Sequence, residues 1–571
     1  MTIPDATDST LSALTVLRER VAMLRFPLEV SGSTAARNKR RQIVAQLDDY
    51  VLPRMARIDA PLLAVVGGST GAGKSTLVNG IVGRPVSQTG VLRPTTRSPL
   101  LAHNPKDADW FTSGRILPEL NRVTGEGDGG PKALMLVSDH GVPPGLAILD
   151  APDIDSVVTT NRDLAAQLLK AADLWIFVTT AARYADAVPW GFLSDAAHRS
   201  AAVSVVLDRV PPEALDEVRQ HLAAMLDNHG LGDSPMFVIE ETVLEPGGML
   251  PPEQIAPIRA WLSSLAADAA ARTEVVKRTL DGAVADVMRR TPELAEAADT
   301  QAAMADQLRA AVVAAYDDAL NTIDRASRDG SLLRGEVLAR WQDFVGTGEF
   351  FRSVEEKVGR LRDRVVAFFR ARPLPAAEVE EAIEHGLEAL LIDQADRAAD
   401  TAHGRWRADR AGKALLGKDD LSRSSADFGD RAAAAVREWQ GTVLDLVRTE
   451  GQDKRFTARV LSFGVNGLGV ALMVVVFAST GGLTGAEVGI AGGTAVVGQK
   501  LLEAVFGDQA VRRLADAASK DLRARSEELL RTEAARFTDR IEVLAIDPSA
   551  SGALREAHRN VESTRHREAG K

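Results

Sequence analysis

The sequence predicts an α/β domain with a doubly wound, mostly parallel sheet, followed by a long all-α bundle or stalk that carries an apolar membrane hairpin. Three observations carry this expectation. An apolar run leads into a glycine-rich phosphate-binding loop at residues 62–75. Short apolar runs then alternate with helical segments as far as residue 239, and beyond residue 251 strand formers give way to Ala, Glu, Arg and Leu.

The loop comes first because everything else is placed around it. Leu62 to Val66 reads as a buried parallel strand, Gly67 to Gly73 as the loop, and Lys74 opens a helix through Leu77 and Val78, giving G-x-x-x-x-G-K-S. Gly68, Gly71 and Gly73 let the backbone wrap so that successive N–H groups face a β-phosphate, and the helix start adds its positive end. Lys74 is expected to reach the β- and γ-phosphates and the Ser75 hydroxyl to ligate Mg²⁺. The phosphate-binding set is therefore Gly68, Ser69, Thr70, Gly71, Ala72, Gly73, Lys74, Ser75 and Thr76.

The bulk numbers set bounds. A chain of 571 residues holds two to four domains; it has no cysteine, which fits a reducing compartment, and its nine His residues show no ligand spacing. The opening MTIPDATDST has no apolar core, so no signal peptide is expected there. A net charge of −11 with scattered Lys and Arg argues against a nucleic-acid partner, and any membrane attachment must come from apolar insertion.

Taken in order, Leu14, Leu17, Val21 and Leu24 mark a first helix, and Ile43, Leu47 and Tyr50 a second one ending near Pro53. Each has an apolar stripe with no neighbour to cover it, so both are expected to pack on helices from much later in the chain. Strands are expected at Leu62–Val66, Leu100–His103, Leu146–Leu149, Leu174–Val178, Val203–Leu207 and Met236–Ile239, and an exposed glycine-rich loop from Asn121 to Lys132. Val354, Val358, Leu361, Val365 and Phe368 keep a 4,3,4,3 rhythm that Ile383, Leu387 and Leu390 repeat, as in packed long helices. The expected division is 1–58, 59–250, 251–457, 458–507 and 508–571: neck helices, nucleotide domain, stalk, apolar hairpin, and a returning helix whose polar tail frays after Ser549.

The hairpin rests on composition. Between Arg459 and Lys500 lie forty residues with no Lys or Arg and one acid, Glu487, and Val460 to Ala478 supplies 19 residues toward a span of about 20. Lys454, Arg455 and Arg459 precede this stretch and Lys500, Arg512 and Arg513 follow it, which predicts both ends, and both termini, on the cytoplasmic side of the cell membrane. Two helices buried in the helical domain, or a paddle in one leaflet, are the alternatives.

Three segments fall where a Mg²⁺-dependent nucleotide site needs them. The loop around Thr95 and Thr96 lies between the first helix and second strand, where a hydroxyl can reach Mg²⁺. Asp150 ends an apolar strand and is placed to hold a Mg²⁺-bound water, with Asp153 near the γ-phosphate. Asp208 and Arg209 end another strand, where one side chain can read a base edge and Arg209 stack on its face.

At these residues the chain resembles the dynamin-like GTPases of the P-loop superfamily, especially bacterial, actinobacterial-type members. The likeness rests on the phosphate loop, on Thr96-Arg97-Ser98-Pro99-Leu100 as the Thr-Arg-x-Pro-Leu switch, and on Asp150-Ala151-Pro152-Asp153 at the Asp-x-x-Gly position. It also covers the layout of helices around the nucleotide domain and an apolar tip. The resemblance implies that Thr96 positions Mg²⁺ and the attacking water, and that Ser69 and Thr70, with Lys74, complete the catalytic set. It implies too that the early and late helices form a neck and that GTPase domains of this chain or a related GTPase pair across their nucleotides. GTP, with ATP second, and Mg²⁺ would be the ligands, and membrane lipid a partner. The output would be membrane remodelling, tethering or fusion. Two departures stand out: Asp153 replaces the usual Gly, and Asp208-Arg209-Val210-Pro211 lacks the final Asp of the guanine reader. A nucleotide-gated scaffold with little turnover and a soluble ATPase are the competing readings.

Overall fold

Each of the six apolar runs read as strands is a strand in the computed structural model, which describes residues 6–88, 98–113, 117, 120–124, 133–156, 159–198, 201–328, 376–450 and 508–569. The strands are β1 Leu62–Gly68, β2 Leu100–His103, β3 Asn121–Thr124, β4 Ala133–Ser138, β5 Leu146–Asp150, β6 Leu174–Thr180, β7 Ala202–Val210 and β8 Met236–Glu240. They form one sheet in the order β3-β4-β2-β5-β1-β6-β7-β8, with β2 antiparallel to β5 and the other pairs parallel.

The centre of this sheet is dry on both faces. All seven residues of β1 are buried. Leu63 and Val65 join Trp175, Phe177 and Val205 on one side. Leu62, Ala64 and Val66 join Leu77, Val78, Ile81, Ile255 and Ile258 on the other. This is why the strand reads as a continuous apolar run rather than an alternating one. The expected loop from Asn121 to Lys132 is corrected at its start: Asn121–Thr124 is a strand, paired in parallel with β4 at the sheet edge. Its ends are exposed and its middle half-buried, so it lacks the apolar signature of a central strand.

Register decides where the chemistry collects. Val66 lies beside Asp150, Gly68 beside Val178, and Thr180 beside Asp208. The segments leaving β1, β5, β6 and β7 therefore emerge at one end of the sheet, around the glycine-rich loop.

The chain divides into two compact units: Met1–Phe26, Gly32–Asp299 and Asp547–Lys571 in the first, Pro27–Ser31 and Thr300–Ile546 in the second. In the first, the helix Ala6–Met23 and the helix Ser33–Gln46, which continues through a π-helical turn at Leu47–Val51 into Leu52–Ala56, bury Leu14, Leu17, Val21, Ile43, Leu47 and Tyr50. Their cover comes from residues 280–298 of the helix Ala269–Arg328 and from Leu554, Ala557 and Val561. These are the late-chain partners the stripes require. The tail expected to fray after Ser549 is instead a helix, Ala550–Ala569, whose three apolar residues at 3,4 spacing seat it on Ala6–Met23. Arg54 and Asp173 form a buried ion pair at 3.0 Å, and Asp173 also accepts the Leu63 N–H and the Tyr50 hydroxyl. This fixes the segment from Tyr50 to Arg54 to the start of β1.

The second unit is a helical core. The helices Ala376–Ala408, Arg410–Leu416, Phe428–Glu450 and Asp508–Glu542 close on residues 300–328 around Trp406, Phe428, Trp439 and Phe537. The two indoles donate to backbone carbonyls, Trp406 to Leu308 at 3.1 Å and Trp439 to Ala518 at 2.9 Å, so their polar ends are satisfied. Ile383 and Leu387 are buried there as their rhythm predicts, with Leu390 packed against the core. The rhythm at 354–368 and the apolar hairpin at 458–507 lie outside the described residues. Among the described residues no helix is long and apolar enough to cross a membrane.

Candidate functional site

The glycine-rich loop is shaped by two close approaches. Gly68 has φ 156°, and a Cβ there would lie 2.1 Å from the Val178 carbonyl oxygen. Gly73, at φ 93°, hands the chain to the helix Lys74–Val82, and a Cβ there would meet Asp208 Oδ2 at 2.3 Å. Lys74 folds back over the loop and is 6% exposed. Its Nζ donates to the carbonyls of Gly68 at 3.1 Å and Ser69 at 3.0 Å, and to Asp153 Oδ1. The extra carboxylate at the usual Gly position therefore meets a cation. Ala72 N–H closes the loop onto Ser69 O at 3.1 Å, and Thr76 follows on the helix's first turn.

The far wall of the loop is a set of oxygens. Ser75 Oγ donates to Asp150 Oδ2 at 2.7 Å, and Ser87 Oγ to the same oxygen at 2.6 Å. Asp150 is 0% exposed, and its other oxygen, Oδ1, is buried with no hydrogen-bond partner among the described residues. Burial pushes this carboxyl up from its ordinary pKa, against the Ser87 and Ser75 hydrogen bonds and the Lys74 charge. A hydroxyl beside a carboxylate with an unused lone-pair face is the donor set a hard divalent cation takes, so these residues fit Mg²⁺. Ser87 carries no motif and was not anticipated. It is held by Asn79, whose side chain accepts from Val86 N at 2.8 Å and Ser87 N at 2.7 Å and donates to Ser87 O at 2.9 Å.

Two further groups close on the outside of the loop. Asp208 is 8% exposed; burial pushes its carboxyl up to about 6, against the Arg209 charge and the Arg209 N–H that it accepts at 2.9 Å. Arg209, at φ 53°, donates to the Gly71 carbonyl. Asp208 and Arg209 thus stand against the loop backbone. Asp155 accepts both the N–H and the hydroxyl of Thr70, at 2.6 and 2.7 Å, and Arg183 donates to Asp155 Oδ2 at 2.7 Å and to the Thr70 carbonyl at 2.8 Å. Burial alone would raise the Asp155 carboxyl, but the Thr70 and Arg183 hydrogen bonds outweigh it and hold the group below its usual range. Neither Asp155 nor Arg183 belongs to a motif read from the sequence.

The structure therefore brings Ser69, Thr70, Lys74, Ser75, Asp150, Asp153, Asp208 and Arg209 to one loop. Thr95 and Thr96 lie outside the described residues. No group of three His, Asp or Glu side chains forms a transition-metal centre among the described residues.

Neither a protein-family model nor a curated protein matches the chain. Among the solved structures similar to it are two described as an oligomerised bacterial dynamin pair that provides a mechanism for long-range sensing and tethering of membranes. Each is 11% identical with a TM-score of 0.42; the first alignment covers 98% of this chain and 96% of the solved one, the second 99% and 96%.

Proposed function

We propose that this chain is a Mg²⁺-dependent GTPase of dynamin-like type that couples nucleotide hydrolysis to membrane binding, remodelling or tethering. The observation that carries the nucleotide chemistry is Asp150: a fully buried carboxylate with one unpartnered oxygen, held beside Ser75 where the loop enters its helix. Guanine as the base, and pairing of GTPase domains with a second copy or a related GTPase, rest on the sequence resemblance. Membrane attachment rests on the apolar composition of residues 458–507.

In this reading the loop N–H groups bind the β-phosphate, and Lys74 exchanges carbonyl and Asp153 contacts for phosphate oxygens. Ser75 and Thr96 would ligate Mg²⁺ and Asp150 would hold it through a bound water; the ion, when bound, would neutralise phosphate charge. Ser87 keeps the Asp150 carboxylate oriented for that role. Ser69 and Thr70 contribute the loop face that orients the attacking water.

The test is steady-state hydrolysis of GTP and ATP by the full chain, with and without Mg²⁺ and liposomes, using Lys74→Ala as the blank. GTP turnover that needs Mg²⁺, rises on liposomes and vanishes in the variant supports the proposal. Preference for ATP would sink the guanine assignment, and lipid-independent turnover the membrane coupling. Binding without turnover under every lipid condition would move the reading to a nucleotide-gated scaffold.

A further inference from the structure

We infer that Arg183 and Asp155 are positioning residues that set two peptide planes of the phosphate loop from outside, so that the cradle stands formed before phosphate arrives. The inference rests on the nucleotide reading above and deepens it.

The argument begins with where the two residues come from. In the sheet β1 lies between β5 and β6. Asp155 follows the end of β5 and Arg183 follows the end of β6, so they approach the tip of the β1 loop from its two flanks. Arg183 is held by its own turn, with its N–H on Thr180 O at 2.9 Å and its Nε on Asp186 at 2.9 Å. Its two remaining guanidinium arms go to Asp155 and to the Thr70 carbonyl. All three nitrogens of the fork are engaged.

A planar trans peptide carries its C=O and N–H in opposite directions, so holding one end aims the other. The Thr70 N–H is held by Asp155. That turns the Ser69 carbonyl the opposite way, and there it accepts from Lys74 Nζ at 3.0 Å. The next peptide is held at its other end: the Thr70 carbonyl is drawn to Arg183, which turns the Gly71 N–H away from Arg183 and into the cradle. One acid and one base therefore fix the Lys74 perch and a phosphate-facing donor together. Arg suits this place because its planar fork points three separate nitrogens at Asp186, the Thr70 carbonyl and Asp155 in one fixed geometry, which a single rotatable ammonium does not.

The closing experiment has a ligand-free arm and a ligand arm, on the full chain, comparing wild type with Arg183→Ala, Arg183→Lys and Asp155→Asn, with thermal melts confirming folding. Without nucleotide, backbone amide exchange is read over residues 69–73. Faster exchange there in Arg183→Ala and Asp155→Asn, with residues 280–298 unchanged, is the expected result; unchanged exchange at 69–73 overturns the inference whether or not the chain binds nucleotide. With nucleotide, affinities are compared for GDP, for a non-hydrolysable GTP analogue and for GMP. Loss of one aimed charge-assisted donor is expected to weaken GDP and the GTP analogue alike by about tenfold. GMP should be unmoved, and Arg183→Lys should fall between wild type and Arg183→Ala. If wild type binds GTP but Arg183→Ala binds it equally well, the inference fails and the GTPase reading stands. If wild type binds no nucleotide, that reading fails and the exchange data alone decide the clasp.

Discussion

Replacing Asp208 with Asn should make the nucleotide-free protein more stable, by an amount that depends on pH. The carboxyl is 8% exposed, has its Oδ2 against Gly73, and is pushed up to about 6 from 3.8 by burial. The nearest cation, Arg209 Nε, lies 3.7 Å away on a half-exposed side chain and does not cancel that burial. A carboxyl whose folded pKa lies above its unfolded value binds its proton more tightly when folded, so stability falls as pH rises through this window and levels off above it. Raising the pKa from 3.8 to about 6 corresponds to roughly 3 kcal/mol at pH 7.5, about half of that at pH 5 and under about 1 kcal/mol at pH 4. Asn keeps the acceptor for the Arg209 N–H and never ionises, so the variant recovers most of that difference. For a unit of roughly 300 residues this is about 4–5 °C in Tm at pH 7.5, shrinking to about 1 °C at pH 4. The assay is a thermal melt of both proteins across pH 4 to 8 with chelator and no nucleotide. An advantage that stays constant with pH would show that ionisation is not its source. A variant less stable at pH 7.5 would show that the Arg209 pair outweighs the burial of the charge.

Three other substitutions probe separate parts of the chain. Gly68→Ala puts a Cβ 2.1 Å from the Val178 backbone oxygen and should cost more than about 2 kcal/mol and abolish nucleotide binding. Gly191→Ala, in the helix Ala187–His198 with nothing within 4 Å, should raise stability by about 0.5–1 kcal/mol; melts of the pair check both. Glu533→Gln should destabilise the second unit by about 3 kcal/mol, because a 1%-exposed carboxylate that takes Ser425 and Arg536 at 2.6–2.9 Å, and Arg431 besides, loses its charge. Burial opposes ionisation of Glu533, but these partners hold its pKa below the ordinary 4.5. Its stabilisation is thus complete above about pH 4.5 and lost as pH falls through the lowered value, so wild type and variant should converge in acid.

Much of the fold was legible because burial on two faces writes itself into the sequence. Runs such as Leu62–Val66 and Leu174–Val178 are apolar at every position, since no position faces water. Asn121–Thr124 was misread because an edge strand with exposed ends needs no such run. Ala133–Ser138 does carry Leu134 and Leu136 on its buried face, a signal that the glycine-rich stretch before it overshadowed. The last helix was misread because a stripe of Leu554, Ala557 and Val561 in an otherwise charged segment is enough when one partner helix covers it.

By itself the sequence determined the loop, its lysine and serine, the strand-end acids and the six principal strands. These depend on local order: a strand, a glycine-rich turn and a helix start are contiguous, and the strand-end position of Asp150 follows from its own apolar run. Only the tertiary structure decided what braces that loop. Thr70 meets Asp155 across 85 residues of chain and Arg183 across 113, and Ser87 meets Asp150 across 63. Strand order and register set those meetings, bringing the exits of β5, β6 and β7 to the end of β1. A side chain that bonds a distant backbone group needs no spacing within its own segment, so it leaves no local pattern to read.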